Sequence, residues 1–315
     1  MPKSSFPNGF ANGVIIRGLP LQVTHPGEVF WVNSTSVLPV GGLSPSDGNN
    51  GTYLQPFKTI AVALNKCTAD RGDIIMVMPG YTETVILTGG FPIDVAGVAI
   101  IGCGVGSLKP TITLNTDVGA DIEMTAANTS IFNFRVVSDL ANMLKGINVS
   151  AVNCTIDRCE FMCSGATEGL LTPVISTTAA LDLHVTNCVM NNESSIAGVS
   201  VSDVATSGIE FLGDGTVIRN NIFMGAYATS CILNGTTAEG ILIEGNHMFN
   251  VSSAAAGMIS LEASCSGLIR DNLGMVLDTS TVIGLIINGG CGMIRNFAGN
   301  VITETGALIP VVVST

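Results

Sequence analysis

The sequence predicts an all-β solenoid in which short parallel strands wind around one apolar core. Two observations predict it: one short phrase recurs at intervals near 25 residues, and the segments between its copies are short β-branched runs broken by Gly, Asn, Asp and Ser. Helical repeats are longer, about 33 to 47 residues, and show a 3.6-residue hydrophobic period. Three strands of about four residues with three turns fill about 25 residues. Between Asp73 and Thr305 this repeat predicts about nine coils.

The recurring phrase is a β-branched residue, one or two polar residues, and then Asn or Cys. It occurs as Ile156-Asp-Arg-Cys159, Val185-Thr-Asn-Cys188, Ile218-Arg-Asn-Asn221, Ile243-Glu-Gly-Asn246 and Ile269-Arg-Asp-Asn272, with looser copies at Ile131-Phe-Asn-Phe134 and Ile294-Arg-Asn-Phe297. Stacked coils place equivalent residues above one another, so the phrase predicts columns of side chains that run along the solenoid.

Three such columns are predicted. The fourth position should form a ladder in which asparagines bond one another from coil to coil, and it comprises Phe134, Cys159, Cys188, Asn221, Asn246, Asn272 and Phe297. The sixth position should be an apolar column, formed by Phe161, Met190, Phe223 and Met248. The second position should face solvent with opposite charges paired across strands, and it comprises Asp157, Thr186, Arg219, Glu244, Arg270 and Arg295.

The ends of a solenoid need atypical segments because an open coil exposes apolar core and unpaired backbone. Residues 56–67 predict an amphipathic capping helix, with one apolar face formed by Phe57, Ile60, Ala61, Leu64 and Cys67. We expect residues 1–50 to be an extended N-terminal arm for docking, 51–305 to be the solenoid domain, and 306–315 to be an apolar segment that closes the last coil.

Composition excludes several classes of function. The chain has 12 basic and 24 acidic residues and a net charge of −12, which argues against nucleic-acid binding. Mean hydropathy is +0.53, but no apolar run approaches the ~20 residues of a membrane span. The start of the chain lacks an apolar core, so we expect no secretory signal. The nine cysteines include no Cys-x-x-Cys pair, and we expect buried thiols, not disulfides or a metal site at Cys159 and Cys163.

Three segments carry a family resemblance. The runs Gly51-Thr-Tyr-Leu-Gln-Pro-Phe-Lys-Thr-Ile-Ala, Arg71-Gly-Asp-Ile-Ile-Met-Val-Met-Pro-Gly-Tyr-Thr-Glu-Thr and Val98-Ala-Ile-Ile-Gly resemble the entry of right-handed, single-stranded parallel β-helix proteins of the pectate-lyase-like superfamily. With the opening Phe6-Pro-Asn-Gly-Phe, the chain resembles β-helix virion proteins of tailed bacteriophages. The resemblance implies a right-handed coil and a homotrimer that serves as capsid decoration, head fibre or tailspike.

The sequence contains no recognisable combination of catalytic residues. Asp117, Asp121 and Glu123 form the densest acidic group, but no matching Arg or Lys is evident on the next coil, and we expect a solvated edge. A carboxylate pair for glycoside hydrolysis remains open, for example across Asp157 and Asp182.

Other possible site residues are equally isolated. His25, His184 and His247 are far apart in the sequence, and Gly102-Cys-Gly-Val-Gly lacks the lysine of a phosphate-binding loop. We therefore expect no catalytic residues, no cofactor and no metal.

These observations favour a non-enzymatic structural protein of the virion, assembled in the bacterial cytoplasm, that decorates and stabilises the capsid as a homotrimer. The N-terminal arm should contact the major capsid protein or another virion protein. The alternative is a tailspike or fibre that binds or cleaves host-surface polysaccharide. A glycan groove normally carries aromatic side chains, yet Trp31 is the sole Trp and lies outside the repeats.

Overall fold

The computed structural model describes residues 14–16, 19–21, 27–35, 38–165, 168–192, 205–251, 257–276, 286–287, 290–300 and 305–309. Within these residues it contains thirty β-strands, one five-residue α-helix and one 3-10 turn at Gly106–Leu108. None of its helices is both long and apolar enough to span a bilayer. His25 lies outside the described residues.

Almost all strands belong to three long sheets, and we number the strands in chain order. A separate hairpin comes first, formed by β1 (Val14–Ile16) and β2 (Leu19–Leu21). Sheet 1 contains β3 (Val29–Val32), β4 (Ile74–Val77), β7 (Ala99–Gly102), β10 (Ser130–Phe132), β13 (Thr155–Asp157), β16 (His184–Thr186), β19 (Val217–Arg219), β22 (Ile241–Glu244), β25 (Gly267–Arg270) and β28 (Cys291–Ile294).

The other two sheets are built in the same way. Sheet 2 contains β5 (Thr82–Val85), β8 (Thr111–Leu114), β11 (Arg135–Ser138), β14 (Glu160–Cys163), β17 (Val189–Asn192), β20 (Ile222–Gly225), β23 (His247–Asn250), β26 (Leu273–Val276), β29 (Asn296–Asn300) and β30 (Thr305–Ile309). Sheet 3 contains β6 (Phe91–Ile93), β9 (Ile122–Met124), β12 (Met143–Val149), β15 (Leu170–Ser176), β18 (Ala205–Phe211), β21 (Tyr227–Asn234), β24 (Ile259–Ser260) and β27 (Ile286–Ile287).

Successive coils pair in parallel, and each coil adds one strand to each sheet in turn. The parallel solenoid predicted from the repeat is therefore confirmed. Sheet 3 has eight strands, so eight coils are complete within the described residues, against the nine expected. The last strand, β30, pairs antiparallel with β29. Right-handed winding stays a prediction.

The core is a set of side-chain columns, as the alternation of each short strand requires. The predicted apolar column is confirmed: Phe161 pairs with Met190, Met190 with Phe223, and Phe223 with Met248. All four side chains are buried. Full burial of one such side chain stabilises the fold by roughly 1.5–3 kcal/mol.

The corner between sheets 1 and 2 explains the recurring phrase. The residue at this corner has a positive φ between 50° and 65°. It is the third residue of the phrase in six coils, at Asn133, Arg158, Asn187, Asn220, Gly245 and Asp271, and it is Arg295 in the last coil. Asn, Asp and Gly are the residues that adopt this left-handed conformation most readily. The corner N–H donates to the next coil, as from Asn220 to the carbonyl of Glu244 at 3.0 Å. The next residue then turns inward and occupies the fourth position.

The Asn ladder is confirmed, with one correction. Asn221, Asn246 and Asn272 are fully or almost fully buried and bond one another along one column. The column continues to Asn296, not to the predicted Phe297. The reason is the strand register. Ile269 pairs with Met293 and Arg270 with Ile294, whereas the sequence alignment matched Ile269 with Ile294, so the last coil is one residue shorter than predicted.

The N-terminal segments differ from prediction in detail. The helix α1 spans Ile60–Leu64 and is shorter than the predicted 56–67. Before it, Phe57 is extended, because its N–H donates to the carbonyl of Trp31 at 2.9 Å. Ile60 and Leu64 are buried as expected, whereas Ala61 is exposed and Ala63 is buried instead. That α1 caps the core stays a prediction.

Strand β3 lies within the predicted arm but pairs in parallel with β4. This attaches residues 29–32 to sheet 1, whereas the hairpin of β1 and β2 belongs to none of the long sheets. The division of the chain at residues 50 and 305 stays a prediction.

Candidate functional site

The acidic residues Asp121 and Glu123, at β9, form ion pairs with a lysine that was not predicted from the sequence. Lys145, on β12, places its Nζ 2.9 Å from Oδ2 of Asp121 and 3.8 Å from Oε1 of Glu123. The prediction that no Lys or Arg on the next coil matches this group is therefore wrong. Lys145 was missed because β12 has seven residues and lies outside the short phrase that defined the register.

Asp121 is held as part of the fold. Its carboxylate is fully buried and also accepts a hydrogen bond from the N–H of Gly89 at 2.7 Å. Asp117, the third member of the predicted acidic group, instead accepts from the N–H of Gly119 within its own turn at 2.9 Å. Within the described residues, no three His, Cys, Asp or Glu side chains converge as metal ligands.

The other proposed carboxylate pair is not stacked. Asp157 ends β13, and its carboxylate accepts hydrogen bonds from Thr186 at 2.7 Å and Asn187 at 2.6 Å. Asp182 occupies a turn with φ near 52°, two residues before β16. Register places Thr186, not Asp182, beside Asp157. The Asp157 carboxylate is therefore engaged with corner residues of the next coil.

The predicted charged column on sheet 1 forms ion pairs. Glu244 lies 3.1 Å from the guanidinium of Arg219 and 2.7 Å from that of Arg270, on the coils before and after it. At the last coil Ile294 takes the column position, and Arg295 instead pairs with Asp271 at 2.6 Å. The prediction that Arg295 belongs to this column is therefore wrong, because the same one-residue change in register that places Asn296 in the Asn ladder places Ile294 in the charged column.

A second, partly buried ion network was not predicted from the sequence. Lys109 places its Nζ 2.8 Å from Glu160, and Arg135 lies 3.0 Å from the other oxygen of the same carboxylate. Burial raises the pKa of Glu160, but hydrogen bonds and charges from Lys109 and Arg135 outweigh it, so the net pKa is lowered. Both cations therefore face a carboxylate that stays ionised, and the network binds three coils together.

The remaining residues considered in the sequence belong to the framework. Cys159 and Cys188 are buried in the ladder column, and burial raises the pKa of the Cys188 thiol, so it is a poor nucleophile. Cys163 lies at the end of β14, away from that column. His184 and His247 are exposed on sheets 1 and 2 respectively.

The glycine run after β7 is a packed corner and has no phosphate-loop geometry. The side-chain amide of Asn133 donates to the carbonyls of Gly102 and Gly104 at 2.8 and 2.9 Å. A Cβ at Gly102 would lie 2.3 Å from the carbonyl oxygen of Asn133. Glycine is therefore required here by contact with the next coil.

The outer surface of sheet 2 changes character along the solenoid. Near its start it carries the charged side chains of Arg135 and Glu160. Further along the solenoid, most outward side chains of this sheet are apolar, and we call this surface the apolar face. Its members are Ile222, Met224, Phe249, Leu273, Met275 and Phe297. A shallow groove runs between them beside His247.

Comparisons with known proteins agree with the fold. No family model matches the chain, and no curated protein matches it. A solved rhamnogalacturonan lyase is 14% identical with a TM-score of 0.56, and the match covers 86% of this chain and 73% of the lyase. A pectate lyase is 12% identical with a TM-score of 0.39, over 85% and 79% of the two chains. Together with the strand topology, the first likeness shows that this chain has a parallel β-helix fold.

Proposed function

We propose that this chain is a non-enzymatic structural protein of a tailed-bacteriophage virion, where a homotrimer of β-helices decorates and stabilises the capsid. One observation carries the proposal: Asp121 and Glu123 face Lys145 of the next coil, and the carboxylate of Asp157 accepts hydrogen bonds from Thr186 and Asn187 of the next coil. The virion assignment itself comes from the resemblance of the sequence segments described above.

Catalysis on a polysaccharide requires groups that face the substrate. A glycosidase places two carboxyl groups about 5 to 9 Å apart across the scissile bond. Here Asp121 faces Lys145, and Glu160 faces Lys109 and Arg135. These contacts join different coils, so they stabilise the stack and leave the carboxylates engaged.

The N-terminal residues are the proposed contact with the particle. Residues 1–26 precede β3, and their described part forms a hairpin outside the three long sheets. A segment whose described strands lie outside the solenoid sheets is suited to bind another protein, and we propose the major capsid protein or another virion protein as that partner. The proposed location is therefore the virion surface.

A truncation tests this role. The chain lacking residues 1–26 keeps Gly27 and β3, so its far-ultraviolet circular dichroism should match that of the full chain. Capsids that lack the protein should bind the full chain and pellet with it on sedimentation, and should not bind the truncated chain. Full occupancy by the truncated chain, or no binding by the intact one, would overturn the proposal.

The second candidate is binding or cleavage of host-surface polysaccharide. It is favoured by the fold shared with a rhamnogalacturonan lyase and by Lys145, which lies beside two carboxylates of the preceding coil, Asp121 and Glu123. The aromatic evidence is divided: Trp31 packs edge-on against Tyr53 with ring centroids 4.9 Å apart, whereas Phe249 and Phe297 are partly exposed on sheet 2.

A polysaccharide assay separates the two candidates. Purified protein is incubated with neutral and acidic host polysaccharides, and new reducing ends and the ultraviolet absorbance of unsaturated uronates are followed. The structural proposal expects neither signal. If cleavage occurs and Lys145→Gln abolishes it while Arg219→Gln does not, the second candidate replaces the first.

A further inference from the structure

We propose that copies of this chain associate through the apolar face, side by side and with their coils at the same height. Its exposed side chains are large: Ile222 is 41% exposed, Phe249 37%, Leu273 40% and Phe297 38%. They lie on four successive strands of one sheet, β20, β23, β26 and β29. Contiguous exposed apolar surface of this kind marks an interaction site, whereas isolated exposed residues do not.

The face is free of ionisable carboxylates and of Lys and Arg. Register assigns one outward column to Val189, Ile222, His247, Leu273 and Phe297, and the other to Asn191, Met224, Phe249, Met275 and Gly299. Two copies of a chain with a net charge of −12 repel each other. A self-contact of such a chain is therefore favoured where no acidic side chain has to be desolvated, and this stretch of sheet 2 meets that condition.

The repeat of the solenoid favours a second copy over an unrelated partner. Adjacent strands are about 4.8 Å apart, so the outward side chains form rows with that spacing. A parallel second copy at the same height has rows of the same spacing, so its outward side chains meet those of the first at every coil. A globular partner of another fold presents no matching period.

The size of the face fits the centre of an oligomer interface. Four strands at about 4.8 Å spacing and three residues at about 3.3 Å give a patch of a few hundred Å² once side chains are included. A standard interface buries about 800 Å² per partner around such a centre. In a closed ring each copy contacts two neighbours, so the surface that flanks the apolar face supplies the remainder.

The ring forms around an axis parallel to the solenoid, with the apolar faces directed inward. The number of copies, three, rests on the proposed function, whereas the choice of face does not.

The experiment measures mass in solution. The full chain, Leu273→Glu and Ile294→Glu are compared by size exclusion with light scattering and by sedimentation equilibrium. Ile294 is the matched control because it is 44% exposed in the same part of the solenoid but on sheet 1. The wild type and Ile294→Glu should be trimeric. Leu273→Glu should weaken association by on the order of 100-fold, because each copy brings an unpaired charge into the contact.

A mixing experiment separates lost association from misfolding. Leu273→Glu and Leu273→Lys are each expected to be monomeric with a wild-type circular dichroism spectrum, and to associate when they are mixed. A monomeric wild type, or a Leu273→Glu variant that stays trimeric, overturns the inference.

Capsid sedimentation distinguishes the two proposals. If the wild type is trimeric, Leu273→Glu is monomeric and the wild type does not bind capsids, the apolar face is supported as the contact between copies and the capsid role is contradicted. A monomeric wild type that needs Leu273 for capsid binding shows that the face serves another protein, which overturns self-association and leaves the capsid role standing.

Discussion

Asn246 donates its side-chain amide to the side-chain oxygen of Asn272 at 2.9 Å, 26 residues further along the chain. The same oxygen of Asn272 accepts the backbone N–H of Asn246 at 3.0 Å. Asn221 makes both contacts with Asn246 in the same way. Each buried Asn thus satisfies its own amide and the backbone of its neighbour, which is the condition for a stable polar column in a core.

The first prediction concerns this column. Asn246→Ala removes the acceptor of two hydrogen bonds from Asn221 and leaves buried donors unpaired, at about 1–3 kcal/mol per group. We expect the free energy of unfolding to fall by on the order of 3 kcal/mol, measured by denaturant titration. Asn50→Ala is the control, since Asn50 bonds Gln55 in an exposed turn, and it should stay within about 0.5 kcal/mol of wild type. Equal effects of the two changes would contradict the role of the ladder.

The second prediction concerns pH. Asp73 is fully buried at the start of β4. Burial raises its pKa, but hydrogen bonds from Arg71, at 2.7 and 2.8 Å, and from the N–H groups of Thr68 and Glu28, both at 2.7 Å, outweigh this, so the net pKa is lowered. A lowered pKa stabilises the fold above the unfolded value, about 3.9 for Asp, and this contribution is lost as the pH falls through the folded value.

Asp73→Asn should therefore be less stable than wild type at neutral pH, and the difference should shrink as the pH falls below about 4. Denaturant midpoints from pH 7 down to the acid range measure it. Asp70→Asn, a change in a neighbouring exposed turn residue, serves as the control. A constant difference between Asp73→Asn and wild type at every pH would show that shape, not charge, makes residue 73 important.

The third prediction concerns packing between sheets 2 and 3. Gly208 lies on β18, and a Cβ there would be 2.5 Å from the ring of Phe223. Gly208→Ala should therefore lower the free energy of unfolding by about 1–3 kcal/mol. Adding Phe223→Leu should recover part of this loss, because it removes the clash with the ring, whereas the carbonyl oxygen of Cys231, 2.8 Å from the same Cβ, remains.

Gly235→Ala is the control for this pair, since its Cβ would meet nothing closer than 3.7 Å. The wild type, Gly208→Ala, Phe223→Leu, the double variant and Gly235→Ala are compared by denaturant titration under one condition. If the double variant is simply the sum of its two single changes, the ring of Phe223 is not what excludes a side chain at residue 208.

The columns of the core could be predicted because the sequence repeats where the backbone repeats. Asn221, Asn246 and Asn272 stack because the left-handed corner before each selects Asn, Gly or Asp and so leaves a visible phrase. The last coil could not be aligned from letters alone. Ile-Arg-Asn occurs at Ile218 and again at Ile294, but in the second case Arg occupies the left-handed corner itself.

The ion pairs of Lys109 and Lys145 could not be predicted, because both lysines lie outside the repeated phrase that defined the register. Lys109 and Glu160 are 51 residues apart, and Lys145 reaches Asp121 from a seven-residue strand of sheet 3. The apolar face did leave a signal. After each ladder residue the chain reads Ile-Phe-Met at residues 222–224 and His-Met-Phe at 247–249, without the inward–outward alternation of a strand that faces water on one side.

The last prediction decides whether Lys145 stabilises the fold or acts on a substrate. Lys145→Met leaves the carboxylate of Asp121 fully buried without its cation, so the free energy of unfolding should fall by on the order of 3 kcal/mol. Asp121→Asn in the same chain should restore part of the loss, because the amide needs no counter-charge, and Lys66→Met at an exposed position is the control. Denaturant titration of the four proteins measures these differences. A Lys145→Met chain as stable as wild type would mean that the ammonium contributes nothing to folding, and the polysaccharide candidate would then be favoured over the structural one.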